Sequence, residues 1–180
     1  LSAMLNLLLG QWQPLINLLS NLYAYLTRDR PAGLFEILEY DSTLEIKDPK
    51  GHLAVARRLQ KVRFLQDYII AVQDHAWGDG QVLADYKISP GIVVDKYREG
   101  DRWNILISLR ETKSKGDVEE FNIERTMKDA FPNPVEWYQT EVWLPVRHVR
   151  LNVIFPYSRP FSRAVLIQRS HNKTVELGSD

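Results

Sequence analysis

Residues 92–111, IVVDKYREGDRWNILISLRE, decide the fold class of this chain of 180 residues. Apolar side chains hold alternate positions in the second half of the stretch: Trp103, Ile105, Ile107 and Leu109. Alternate side chains of an extended strand share one face, so this spacing is typical of a half-buried strand. Glu99-Gly100-Asp101 separates this run from residues 92–98 and gives a compact hairpin signal. The stretch therefore predicts two antiparallel strands joined by a tight turn.

Apolar alternation and turn residues recur throughout residues 34–177. The further predicted strands cover residues 34–46, 53–64, 68–72, 82–86, a segment around 121–123, 135–143, 149–155, 164–168 and 174–177. Asp48-Pro49-Lys50-Gly51 predicts a tight turn, and Lys115-Gly116-Asp117 a further hairpin. Residues 68–72 are continuously apolar, which predicts a strand buried on both faces. Residues 54–66 and 119–129 are also compatible with helices.

Nine or ten strands with short connections favour antiparallel pairing. Two packed sheets are the simplest way to bury so many half-apolar strands. We therefore predict a mainly β fold, an antiparallel β-sandwich that is immunoglobulin-like in architecture. This domain spans residues 34–177 and follows a linker at residues 28–33, where Pro31 and Gly33 interrupt the pattern.

Residues 1–27 have a different pattern and contain no Asp, Glu, Lys or Arg. Their apolar residues follow an unbroken heptad spacing, which predicts a helix with an interface formed by Leu5, Leu8, Trp12, Leu15, Leu19, Leu22 and Leu26. Pro14 predicts a kink in that helix. Apolar residues also flank the stripe on both sides, so we expect the helix to have more than one neighbour. Three kinds of neighbour are open: the β domain or a second copy of the chain, a domain outside this sequence, or a membrane. Eight polar side chains in the segment disfavour a membrane span.

The composition excludes several classes of function. The absence of cysteine rules out disulfides, thiolate metal sites and cysteine nucleophiles. It also fits a reducing compartment, and no secretory signal is visible, so we expect a cytoplasmic protein. A net charge of zero does not favour nucleic acid as a partner. The sequence contains no nucleophile elbow, phosphate loop or dinucleotide fingerprint, so it identifies no catalytic residue, metal ligand or cofactor.

Three stretches could nevertheless carry chemistry. Asp74-His75-Ala76-Trp77-Gly78-Asp79-Gly80 offers carboxylates and a histidine, although a hairpin loop explains the same residues. Residues 142–175 carry six fixed positive charges and no acid, so the candidate ligands of an anion are Arg147, Arg150, Arg159 and Arg163. Pairing with acidic strands is the alternative for these arginines. Arg57, Lys61 and Arg63 form a basic stripe, which suits nucleic acid or a charged edge strand.

The function that the sequence favours is a non-enzymatic interaction or ligand-sensing module, part of a larger protein. The helix of residues 1–27 would drive self-association or pack against a neighbouring domain. Burial of each of its leucines or of Trp12 stabilises the protein by roughly 1.5–3 kcal/mol. An isolated helix in water would lack this stabilisation. The alternatives are a binder of an anionic or phosphorylated ligand that uses the basic C-terminal strands, and a membrane-associated module that uses residues 1–27.

Overall fold

The computed structural model describes residues 33–141, 146–169 and 172–177. These residues form ten strands: β1 Phe35–Ile46, β2 Leu53–Phe64, β3 Ile69–Ala76, β4 Gln81–Ser89, β5 Ile92–Glu99, β6 Arg102–Lys113, β7 Val118–Lys128, β8 Val146–Ile154, β9 Ala164–Gln168 and β10 Lys173–Leu177. The predicted mainly β fold is confirmed. The two segments that were also compatible with helices are the strands β2 and β7, each of which has a strand partner on both sides.

The strands assemble into three sheets. One has five strands in the order β4-β7-β2-β1-β8, one has three in the order β3-β6-β5, and β9 pairs with β10. Most ladders are antiparallel as predicted, but β8 runs parallel to β1, from Ile37 beside Val146 to Glu45 beside Ile154. A parallel neighbour requires a long connection, and residues 129–145 between β7 and β8 supply it.

Four connections carry the chain from one sheet to the other, after β2, β3, β4 and β6. Lys115-Gly116-Asp117 was therefore wrongly predicted to form a hairpin, because β6 and β7 belong to different sheets. In the stretch from Asp74 to Gly80, the first three residues end β3, and residues 77–80 join β3 to β4 of the other sheet instead of closing a hairpin. The tight turn predicted at Asp48–Gly51 and the hairpin predicted at Glu99–Asp101 are confirmed by the β1–β2 and β5–β6 ladders.

The main hydrophobic cluster draws on both large sheets. Val62 and Phe64 of the five-stranded sheet and Ile105 and Ile107 of the three-stranded sheet are fully buried in it. A second cluster lies at the other end of the five-stranded sheet, where Leu44, Ala54 and Met127 contact Phe131 and Tyr138. The five-stranded sheet therefore has two apolar regions on its inner face. The finer assignment to an immunoglobulin-like sandwich stays a prediction.

Two further local predictions, both about strands, are wrong. Residues 135–141 form no strand, and Val135 and Trp137 are 87% and 73% exposed. In β3, Ile69 and Val72 are buried but Ile70 is 64% exposed, so that strand has one buried face instead of two. The heptad segment 1–27 and its interface leucines lie outside the described residues. Within the described part of the chain, no helix is long and apolar enough to cross a membrane.

Candidate functional site

A polar band crosses the inner face of the five-stranded sheet between its two hydrophobic clusters. The inner face of β2 carries Ala54, Ala56, Val62 and Phe64, and two polar residues, Arg58 and Gln60, interrupt this apolar run. Ser42 of β1 lies beside Arg58 across the β1–β2 ladder. Arg125 of β7 lies beside Ala56 and, on its other side, beside Tyr86 of β4. Four strands therefore each contribute a polar residue to one band.

The three-stranded sheet places a carboxylate against this band. Asp74 shares the inward face of β3 with Val72 and Ala76, and its Oδ1 lies 2.6 Å from the Nη2 of Arg58. Tyr86 donates its hydroxyl proton to the other carboxylate oxygen at 2.7 Å. The ring of Tyr40 lies under the Arg58 guanidinium, 5.6 Å from its central carbon. The side chains of Arg58 and Asp74 are only 19% and 15% exposed, so this ion pair is largely withdrawn from water.

The charges of the pair hold each other in the ionised form. Burial alone would raise the pKa of Asp74, but the charge of Arg58 and the hydrogen bonds from Arg58 and Tyr86 outweigh it, so the pKa lies below its usual value. Burial alone would lower the pKa of Arg58, but the charge of Asp74 outweighs burial, so the pKa of Arg58 lies above its usual value. Burial and the neighbouring Asp74 both raise the pKa of Tyr86, so the phenol stays protonated.

The segment Tyr138–Glu141 covers the band where the three-stranded sheet ends. The hydroxyl groups of Tyr138 and Ser42 are hydrogen-bonded at 2.8 Å, and those of Thr140 and Tyr40 at 2.5 Å. Glu141 anchors the segment through an ion pair of 2.6 Å with Arg102. Each anchor uses a side chain, so the segment needs no strand pairing to hold its position.

A cavity of about 40 Å³ remains beneath the segment. Its described lining includes charged, hydroxyl and aromatic side chains, among them Arg58, Asp74, His75, Trp77, Arg125 and Tyr138. A single water needs roughly 10–15 Å³ by this measure, so the space suits a small chemical group. The arrangement offers hydrogen-bond donors and positive charge. It shows no nucleophile held by a base, and the described residues contain no cluster of three or more metal-ligating side chains.

Two buried donors in this region lack acceptors. Among the described residues, the Nε of Arg58 and the Nδ2 of Asn104 have no hydrogen-bond partner. Asn104 accepts a bond from Nδ1 of His75 at 2.9 Å through its carbonyl oxygen. A buried donor without a partner costs about 1–3 kcal/mol, so each of these groups calls for an explanation.

The four arginines predicted to bind an anion do not share one cavity in the described part of the chain. Arg147 and Arg150 of β8 pair with the acids of β1, Glu36 at 3.4 Å and Asp41 at 3.0 Å. Arg163 pairs with Glu176 on the neighbouring strand at 2.9 Å. Arg159 donates to two backbone carbonyl oxygens, at 2.8 and 2.7 Å. Anion binding by these arginines stays a prediction, and these contacts favour its alternative, pairing with acids.

The basic stripe of β2 also finds acidic neighbours. Arg57 pairs with Glu45 at 3.0 Å and Glu124 at 2.9 Å, and Arg63 bonds to Glu36. Because β2 lies between β7 and β1, its interpretation as an edge strand is wrong. Charged side chains on a central strand are stabilised here by opposite charges on the flanking strands.

Sequence reasoning singled out Asp74 but missed Arg58, Arg125 and Tyr138. A signal existed for Arg58, because the alternation that sends Arg57 outward sends Arg58 toward the core. Arg125 gives the same signal, since Phe121, Ile123 and Met127 share its parity and are buried. Tyr138 gave a misleading signal, because its segment resembled a strand.

The chain was also compared with known proteins. It matches no model of a protein family, and no curated protein matches it.

Proposed function

We propose that this protein is a non-enzymatic interaction module that self-associates through residues 1–27. In this proposal, that segment covers an exposed apolar face of the edge strand β8 and presents its remaining apolar side to a second copy of the chain. The module would belong to a larger protein in a reducing compartment, the cytoplasm. Its two large sheets would form a loosely immunoglobulin-like sandwich, in keeping with a core cluster that draws on both.

The observation that carries the proposal is the inner face of β8. Val149, Leu151 and Val153 lie beside Tyr40, Ser42 and Leu44 of β1 in the parallel ladder. Those three neighbours are at most 5% exposed, whereas the three β8 residues are 41%, 39% and 42% exposed. The core face of the five-stranded sheet thus continues onto β8, but the side chains there are only partly buried. Completing their burial would contribute roughly 2–4 kcal/mol, about two fifths of the full value for three such side chains.

Residues 1–27 suit this face in reach, length and chemistry. The chain enters β1 at Phe35, and β1 is the sheet neighbour of β8. The linker of residues 28–33 spans up to about 20 Å when extended. A helix of 27 residues is about 40 Å long and β8, with nine residues, about 30 Å. The segment carries no charge to desolvate, and its apolar stripe is wide enough for two neighbours.

The first test compares the solution mass of residues 1–180 with that of residues 28–180 by light scattering. We expect the longer chain to form a defined oligomer and the shorter one to be a monomer, because the deletion removes the self-associating segment. Equal masses for the two chains would contradict the proposal. Flotation of the full chain, but not of the truncated one, with liposomes would assign the segment to a membrane instead.

A substitution on β8 tests where the segment docks. Leu151→Lys places a charge at the centre of the exposed face, and we expect it to reduce the melting temperature and weaken oligomerisation of the full chain. Val165→Lys is the matched control, because Val165 is 41% exposed, close to the 39% of Leu151, but lies on β9. Equal effects of the two substitutions would contradict docking on β8.

A further inference from the structure

The described residues that line the polar cavity carry an excess of positive charge. Arg58 and Arg125 are cations, and Asp74 is the single carboxylate among those residues. Asp74 is committed to Arg58 and Tyr86. Within the described part of the chain, Arg125 forms no ion pair. The formal charge around the cavity is therefore one positive unit, which a partly buried site holds at a cost unless an anion compensates it.

Nearby acids do not offset this charge. Glu124, which precedes Arg125, points to the outer face of the sheet and pairs there with Arg57 and Lys87. Glu141 of the covering segment is held by Arg102. Arg125 instead acts electrostatically on Tyr86 and Tyr138, lowering the pKa of each against the larger upward effect of burial. Among the described residues, no acid pairs with the Arg125 guanidinium to compensate its charge.

The same region supplies hydrogen-bond donors for an anion. The buried Nε of Arg58 has no acceptor among the described residues, and Arg125 adds a planar fork of N–H groups. The hydroxyl groups of Ser42 and Tyr138 share one hydrogen bond, so one of the two retains a free proton that it can donate. Aromatic rings of Tyr40, Trp77 and Tyr138 form part of the wall.

We propose that this cavity binds the carboxylate of a small organic acid, held by the guanidinium groups of Arg125 and Arg58. A carboxylate is favoured over a phosphate because its single negative charge matches the single excess positive charge. A space of about 40 Å³ also admits a carboxylate more readily than a phosphate group. The aromatic wall then contacts the apolar part of the acid. The residues named here as holding the carboxylate all belong to the described part of the chain, so the proposal does not rest on the self-association proposed for residues 1–27.

The test is a titration of the full chain followed by NMR of the arginine side-chain Nε–Hε groups. Acetate is the probe, with chloride at equal ionic strength as the control for screening. We expect the Nε–Hε signals of Arg58 and Arg125 to shift saturably with acetate and to remain fixed with chloride. Shifts that match in the two salts, or that do not saturate, would overturn the proposal. Tighter saturation with inorganic phosphate than with acetate would overturn the choice of a carboxylate.

A substitution assigns the response to Arg125. In Arg125→Gln, we expect the affinity of acetate at the Arg58 Nε–Hε to fall about ten-fold or more, the usual effect of losing a charged hydrogen bond. Arg150→Gln is the matched control, because Arg150 lies on the same sheet but pairs with Asp41 outside the cavity. An unchanged affinity in Arg125→Gln would remove Arg125 from the site. The wild-type titration stands on its own if this variant folds poorly.

Discussion

The ion pair of Arg58 and Asp74 is the polar contact whose loss should be most damaging. Asp74→Asn keeps the shape of the side chain but removes its charge, which leaves the Arg58 guanidinium largely buried without a counter-charge. Removing one partner of a buried pair costs about 3–5 kcal/mol. The side chains are 19% and 15% exposed, so some solvent screening remains and the lower end, about 3 kcal/mol, applies.

Urea unfolding of the full chain at pH 7 measures this loss. For an m value near the upper end of the usual range, about 2.5 kcal/mol per molar, the midpoint should fall by about 1.2 M with little change in slope. Glu176→Gln breaks the exposed pair with Arg163, whose side chains are 69% and 64% exposed, and should cost less than about 1 kcal/mol. A loss in Asp74→Asn no larger than in this control would refute the reasoning.

A double-mutant cycle separates the pair from its surroundings. Arg58→Met removes the cation and with it the unsatisfied Nε, so adding it to Asp74→Asn should recover part of the stability lost in the single variant. The coupling arises because each single substitution leaves a charge without its partner. Purely additive losses would show that the two side chains do not stabilise each other.

Three further outcomes follow from the packing and the titration. Phe64→Ala, at a side chain with no exposed surface, should cost about 3–5 kcal/mol in urea unfolding, and a loss under about 1.5 kcal/mol would contradict its place in the core. Asp74 has a lowered pKa in the fold, so its stabilisation is present above an unfolded pKa of about 3.9 and disappears as the pH falls through the lower folded value. The wild type should therefore lose more stability than Asp74→Asn between about pH 5 and pH 2, and parallel curves would exclude this linkage. Gly51→Ala should lower the melting temperature more than Gly100→Ala. Both glycines have positive φ, but a Cβ on Gly51 would lie 1.9 Å from the carbonyl oxygen of Phe131, whereas one on Gly100 meets nothing within 4 Å. Equal melting temperatures of the two variants would contradict that contact.

Strand positions were largely predictable because the signals for them are local. Residues 53–64 were predicted as a strand and form β2 with the same bounds. Asp48–Gly51 shows why a turn can be read locally, since the carboxylate of Asp48 accepts the backbone N–H groups of Lys50 and Leu53 a few residues away. Alternation and turn residues act within a few positions, so a single sequence displays them.

Pairing was not predictable because it depends on contacts between distant residues. Lys115–Asp117 reverses the chain, but a turn sequence does not determine whether the flanking strands share hydrogen bonds with each other or with other strands. The parallel position of β8 depends on a ladder that joins residues about a hundred positions apart. Residues 135–141 show the converse, because side-chain hydrogen bonds from Tyr138 and Thr140 hold a segment that lacks a backbone ladder.

The candidate site follows the same division between local and distant information. Parity alone sends Arg57 to solvent and Arg58 to the core, and a cation on a core face requires an acid nearby. Asp74, at the inward parity of β3, satisfies Arg58 but is then unavailable to Arg125, which alternation places on the same inner face. That Arg58 and Arg125 face one acid, Asp74, becomes visible only once β2, β3 and β7 are known to pack around the same cavity. The excess positive charge is therefore a property of the sheet packing, and a ligand that supplies one negative charge would complete it.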